Sequence, residues 1–201
     1  MDKTRQVRLF NKQAVQYKTR KEGAALRSWR QKLLRHATGE VLELAVGAGA
    51  NFPYYPDGIK LTATDFSPDM LKHAREAAAG YSLDATFILA DIEELDFPDH
   101  SFDTIVSSLS FCSYEHPLHV MQKLKRWCKP DGHILLMEHG ISSNKVVSIG
   151  QRVLNPLLLR TIGCHHTRNI PDIVRQSGMF IERSESHMLN MVHLLWVKPE
   201  T

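Results

Sequence analysis

Long apolar runs are missing from this chain of 201 residues, and none approaches the length needed to cross a bilayer. Nor does the opening Met1-Asp2-Lys3-Thr4-Arg5-Gln6 contain the apolar core of a secretory signal. Cysteine is scarce: Cys112, Cys128 and Cys164 are scattered, odd in number and never in Cys-x-x-Cys spacing. That speaks against a disulfide framework and for a reduced, cytoplasmic protein. A net charge of +3 is too mild to imply a nucleic-acid partner. Acidic residues are absent between Glu138 and Asp172, where Lys145, Arg152, Arg160 and Arg168 lie. They are also rare in the first thirty residues, where nine Lys/Arg face only Asp2 and Glu22. Two basic, acid-poor segments could meet an anionic substrate or a membrane surface; ordinary solvated helix faces are the plainer alternative.

The rest of the chain alternates. Val7, Phe10, Ala14 and Tyr17 stand at helical spacing, so about 5–20 reads as an amphipathic helix broken at Gly23, followed by a helix over 24–36. Strands are expected at 41–46, 59–65, 85–89, 102–107 and 133–137, with a helix starting at Ser67-Pro68-Asp69 and another over about 117–128 between them. Ser67 reads as an N-cap with Pro68 in the first turn. Phe97–Ser101 and Lys129-Pro130-Asp131-Gly132 read as turns. A helix at 145–160 with a broad apolar face carries Pro156, which should kink it. A short helix at 170–177 precedes two strands, 180–188 and 191–198, that read as a closing antiparallel hairpin. Strand–helix alternation at this spacing predicts an α/β fold with a seven-stranded, mostly parallel sheet and helices on both faces. The whole chain, 1–201, is expected to be one domain, with 1–36 as a helical lid and 140–178 as a helical insertion on the substrate side.

The most pointed stretch is Val41-Leu42-Glu43-Leu44-Ala45-Val46-Gly47-Ala48-Gly49-Ala50-Asn51, with a second apolar run ending on Asp65. A strand entering a glycine turn brings bare backbone to a nucleotide-like ligand, and the acid on the next strand can accept ribose hydroxyls. A dinucleotide fingerprint needs a third glycine where this chain has Phe52, and no Gly-Lys-Ser/Thr follows. No pyrophosphate cradle is evident. Glu43 within the strand instead suits a cationic ligand, and S-adenosylmethionine (SAM), with an adenosine, an ammonium, a sulfonium and no phosphate, fits. A tight turn in some other doubly wound domain is the bland alternative.

With these elements placed, the chain resembles class I SAM-dependent methyltransferases of the UbiE/"methyltransferase type 11" group. Glu43–Gly49 is similar to the family's Glu/Asp-x-Gly-x-Gly-x-Gly, with Ala45 in the first glycine's place. Thr64–Leu71, Ala90–Leu95 with Phe97–Asp103, and Leu124–Gly132 match three further motifs in order. The resemblance implies a Rossmann-like fold and SAM as cofactor, leaving as S-adenosylhomocysteine. It implies cofactor contacts from Glu43, Ala45, Gly47, Gly49, Asn51, Asp65, Phe66, Met70, Asp91, Ile92 and Ser108. In the family the strand-two acid takes the ribose, the residue at Met70 packs on adenine, and the acid at Asp91 meets the adenine amino group. The stretches Met137–Gly140, Gln151–Pro156 and Gly163–Arg168 are similar to bacterial phosphatidylethanolamine N-methyltransferases and to thiol methyltransferase-like proteins.

Methyl transfer from a sulfonium needs alignment and water exclusion, and needs a strong base only for an acceptor protonated at neutral pH. His139 is the first choice of base, with Glu138 beside it and Tyr17 brought by the first helix. Arg152, His165, Arg168 and Tyr114 are expected to hold the acceptor, Arg168 through a bidentate grip on phosphate. A merely orienting role for His139, and a loop-fixing role for His165 and His166, are the alternatives. Cys164, His165 and His166 do not match zinc-ligand spacing, so no metal is expected. The acceptor is expected to be small or lipid-like and apolar, with a phospholipid head-group amine first. Small thiols, or quinone-like and natural-product acceptors, come next. Peripheral contact with the inner membrane surface would follow from the basic segments, and a SAM-binding regulator without turnover is the alternative of another class.

Overall fold

The computed structural model describes residues 2–199. Helix α1 (Lys3–Thr19) and helix α2 (Ala24–Leu34) precede strand β1 (Glu40–Leu44). Strand β2 (Lys60–Asp65), helix α3 (Pro68–Ala78), strand β3 (Asp84–Leu89) and strand β4 (Phe102–Ser108) follow. Then come helix α4 (Pro117–Trp127), strand β5 (Cys128–His139), helix α5 (Lys145–Ile162), helix α6 (Ile170–Gln176), and strands β6 (Phe180–His187) and β7 (Val192–Lys198).

The seven strands form one sheet in the order β3-β2-β1-β4-β5-β7-β6. β1 through β5 pair in parallel, and β7 joins β5 and β6 in antiparallel fashion. The expected α/β architecture with its terminal hairpin is therefore the observed one. Period-two alternation sorts each strand between two cores. Leu42, Leu44, Ile105, Ile134, Leu136, Leu195 and Val197 pack with Val120, Leu124 and Trp127 of α4 and with Ile170 and Val174 of α6. Val41, Val106, Leu135, Met137, Leu194 and Trp196 point the other way, to Leu33 and Leu34 of α2 and Leu71 and Ala74 of α3. Because both faces are covered, the central strands read as continuous apolar runs.

Caps fix the helices that lead away from the strand ends. Ser67 Oγ accepts the Met70 N–H at 3.1 Å and Pro68 occupies the first turn of α3, as expected. Asn144 caps α5 through the Val146 and Val147 amides, and Gly163 ends it at φ 76°. α5 continues through Pro156. None of its residues is buried, and Val146 and Val153 are more than 70% exposed, at 78% and 72%.

Two boundaries differ from the sequence reading. The Lys129–Gly132 turn is an irregularity inside β5: the β4 partners step from Phe102↔Cys128 to Thr104↔His133. A Cβ at Gly132 would come within 2.8 Å of the Asp103 carbonyl, so the backbones touch there. β1 ends two residues early because Ala45 takes φ 47°, in the left-handed region. Leu109, just after β4, takes φ 58°. Both strained residues sit at the C-terminal ends of the two strands where the strand order reverses, the crevice in which open α/β sheets bind ligands. Replacing Ala45 by Gly should relieve the strain and raise unfolding free energy by roughly 0.5–1 kcal/mol, net of the greater freedom of glycine in the unfolded chain. A urea midpoint that stays put or falls would show that no strain resides at this residue.

Candidate functional site

Three turns converge at the reversal point. After β1 the chain passes through Gly47 and Gly49, both at positive φ. A Cβ at Gly47 would meet nothing within 4 Å, so bare backbone faces an open cleft. At Gly49 it would come within 2.4 Å of the Phe52 ring. Phe52, the bulky residue that stood against a dinucleotide site, is thus core packing (2% exposed) seated on the second glycine.

Two carboxylates form the floor. Asp65 ends β2 and accepts the Gly47 N–H at 2.9 Å and the Ser67 N–H at 2.8 Å. Burial raises its pKa to about 6 despite these donors. Glu43, 2% exposed inside β1, accepts from Asn51 Nδ2 at 2.7 Å and from the Tyr55 hydroxyl at 2.8 Å. Burial raises it to about 7, with those hydrogen bonds and the Arg30 charge opposing. Asn51 also reaches Ser108 Oγ at 3.2 Å and accepts from Arg30, which binds Glu22 at 2.6 Å. Phe66, Met70 and Leu109 supply apolar walls. A floor of two carboxylates repels phosphate and attracts a cation, and the bare Gly47 backbone admits a flat group. The residues present fit S-adenosylmethionine.

Helix α1 covers this cleft. Phe10 meets Phe66 edge-on at 5.3 Å, and Asn11 Oδ1 accepts from Ser67 Oγ at 2.6 Å. Gln6 Nε2 donates to the Ser113 carbonyl at 2.8 Å, and Lys3 pairs with Asp91 and, at 2.9 Å, with Glu93. The Phe10 ring also packs against Gly163 at the end of α5. Tyr17 lines the cleft, and partial burial raises its phenol pKa, so it stays protonated near neutrality.

The opposite side is built on Glu138, which is wholly buried at the end of β5. It accepts from Ser107 Oγ at 2.7 Å and from the Ser110 and Phe111 amides at 3.2 Å each. Burial raises its pKa to about 6. Arg168 donates to the Phe111 and Tyr114 carbonyls, gripping the same loop from outside. At Gly140 a Cβ would lie 2.4 Å from the Arg168 carbonyl oxygen, so only glycine lets the 163–168 segment close on the end of β5. His139 and His166 consequently stack at 4.6 Å. The Cys112 thiol donates to Cys164 Sγ at 2.9 Å; this bond and His139 lower the Cys164 pKa, while the same bond and burial raise that of Cys112.

Of the residues singled out from sequence, Glu43, Ala45, Gly47, Asn51, Asp65, Phe66, Met70, Ser108 and Tyr17 line the cleft. Others are engaged elsewhere. Asp91 is held by Lys3, and Ile92 is core (4% exposed). Tyr114, expected against the acceptor, is 4% exposed, with its hydroxyl on Ser110 Oγ at 2.9 Å. Arg168 is committed to two carbonyls rather than free for a phosphate. Glu138 is shielded by its three donors and organises the loop after β4. Arg152 projects from the exposed surface of α5, and His165 Nδ1 lies 3.5 Å from Asn155 Nδ2. His139 borders the cleft through Cys164 rather than lining it. Arg20, Glu22, Arg30, Ser110, Ser113 and Cys164 also line the cleft. Among these, buried Arg30 of α2 pairs with half-buried Glu22 of the α1–α2 loop, at positions that carry no local motif.

A family model described as a methyltransferase domain matches residues 42–136. The chain is 33% identical to thiol S-methyltransferase TMT1B of Mus musculus over 84% of its own length and 68% of that protein. It is 36% identical to the phosphatidylethanolamine N-methyltransferase of Cereibacter sphaeroides over 50% of its length and 51% of that protein. The chain thus spans about half of the latter, and 59% of the rat TMT1B protein. A putative methyltransferase from Bacillus halodurans shares the fold, with TM-score 0.69 and 17% identity over 89% of this chain and all of that one. SAM is therefore the cofactor, and the residues of this cleft fit it.

A cation settling over Glu43 favours its ionised form. SAM binding at pH 7 should therefore release a fraction of a proton, and at pH 8.5, where Glu43 is already ionised, almost none. Calorimetry in buffers of different ionisation enthalpy reads this directly. Asp65→Ala should weaken SAM binding by at least about tenfold, from the loss of charge-assisted hydrogen bonds to the ribose.

Proposed function

The chain belongs to the class I SAM-dependent methyltransferases of the methyltransferase-domain family, and on that premise we propose that it transfers a methyl group to a small or lipid-like apolar acceptor. The observation that carries this reading is the carboxylate-floored, phosphate-averse cleft at the strand-order reversal, roofed by α1. Bound there, SAM supplies a methyl on a sulfonium whose departing thioether is neutral. The chain's own residues do the remainder. Asp65 accepts the ribose hydroxyls, Glu43 sits beneath the cationic end, and Met70 and Phe66 pack on the flat base. α1 with Phe10 and Tyr17 shuts out water, which strengthens each of these interactions. Ser108, Ser110 and Ser113 line the wall over which an acceptor would be aligned for in-line attack. His139, reached through Cys164 at the cleft edge, is the candidate base for an amine acceptor that carries a proton.

An apolar acceptor is supported by the unburied α5 face, with Val146, Ile149, Val153, Leu154 and Leu157 all more than half exposed, set in the acid-free basic stretch. That surface suits peripheral contact with an anionic bilayer, and a phospholipid head-group amine is the leading acceptor. A second reading, small thiols, is favoured by the cysteine pair at the cleft edge. No helix is long and apolar enough to cross a membrane among the described residues.

Incubation with methyl-labelled SAM and parallel lipid, thiol and quinone panels should label an apolar product. Binding of SAM with no transfer to any panel would favour a regulatory SAM-binding protein instead. Removal of residues 1–20 should lower kcat/KM at least about tenfold with the thermal midpoint of the remaining domain retained, from the loss of water exclusion. Unchanged turnover would take α1 out of the mechanism.

A further inference from the structure

The described residues contain one group of soft donors outside the cofactor floor. Cys112, His139 and Cys164 each present one ligand atom, and these three atoms lie within 4.8 Å of one another. They come from three separated places: the loop after β4, the end of β5, and the turn after α5. Each is held by its surroundings. Glu138 fixes the amides of Ser110 and Phe111 on one side of Cys112. The Cys112 carbonyl accepts the His165 N–H at 2.9 Å, tying the loop to the turn that carries Cys164. The Gly140–Arg168 backbone contact brings that turn onto His139, whose ring is stacked on His166. A second observation comes from His166 itself. Its Nε2 is buried and has no hydrogen-bond partner among the described residues, an unmet polar demand beside the cluster.

We propose that Cys112, Cys164 and His139 bind a zinc ion, leaving a fourth position that opens on the methyl-transfer cleft and takes the sulfur of a thiol acceptor. Two thiolates and a neutral imidazole balance the divalent charge, and three protein ligands with one open position is the arrangement of catalytic zinc sites. Tetrahedral coordination at Zn–S of about 2.3 Å sets the sulfurs roughly 3.8 Å apart, so they separate by about 1 Å from their present 2.9 Å. Cys164 also lines the cleft, which puts the open position on that side. The use of the site rests on the small-thiol reading of the methyltransferase above; the metal site itself does not. An acceptor thiol bound there loses its proton to solvent and becomes a thiolate. Its sulfur lone pair then forms the new S–CH3 bond as the sulfonium C–S bond breaks, and that electron pair leaves with the neutral thioether.

The full chain, expressed with added zinc and purified reduced without chelator, should carry close to one zinc per chain by plasma mass spectrometry. Cys112→Ser or Cys164→Ser should retain less than a tenth of it, whereas Cys128→Ser should retain it all. Cobalt substitution of the wild-type chain should give thiolate-to-cobalt charge-transfer absorption, a readout independent of whether the variants fold. Wild-type chain without stoichiometric zinc or that absorption overturns the site, as does recovery of a metal-free Cys112–Cys164 disulfide. If zinc is bound, its removal by chelation should lower thiol methylation at least tenfold with SAM affinity unchanged. Unchanged thiol methylation would overturn the acceptor role alone, and loss of SAM binding by the wild type would count against the methyltransferase reading instead.

Discussion

Glu43 and Asp65 are nearly fully buried acids at the mouth of a parallel sheet, and the arrangement around them serves to keep them there. Folding strips water from both, and burial raises both pKa values toward neutrality. The compensation is local: backbone amides of Gly47 and Ser67 for one, Asn51 and Tyr55 for the other. Those donors come from the β1 turn and the loops around it, which is why this turn must be tight enough for Ala45 to adopt a left-handed backbone. The incomplete compensation is the useful part, since a cation entering the cleft supplies what the fold withholds.

The fold and the cofactor floor were legible in the sequence for a physical reason. The apolar strand runs, the Ser67-Pro68 cap and the glycine turn are all local signals, and the structure realises them with small shifts except in β5, which begins at Cys128, five residues before its expected start. The acceptor side was much less legible. Tyr114, Glu138 and Arg168 have the right chemistry for a site, yet each is consumed by partners 4 to 57 positions away. A chain position says which groups a residue has to offer, but its neighbours decide whether they are free. Asp91 shows the same effect, since its partner Lys3 lies 88 positions earlier. The Cys112–Cys164–His139 group escaped detection because its members come from three segments with no shared spacing; the Gly140 contact that gathers them is visible only in three dimensions.

The two sides of the cleft differ in how they are held. The cofactor side is fixed by the sheet and by short-range caps. The acceptor side is fixed by the long reach of Glu138 and Arg168 around one loop, so its shape depends on packing between α5, the 163–168 turn and the end of β5. Such an arrangement would allow acceptor preference to change through α5 and its turn with little disturbance of the floor, in keeping with relatives named for different acceptors.

The polar ties of α1 carry one further consequence. Ser67 Oγ both caps α3 and donates to Asn11, and Lys3 grips Asp91 and Glu93. In the lid role proposed for α1, a molecule held beneath it would leave as these ties and the Phe10–Phe66 contact break. The lifting of the helix would then add its own barrier to the hold of the floor in setting the dwell time of a bound molecule. Because one of the ties is an ion pair, that clock runs faster as salt rises.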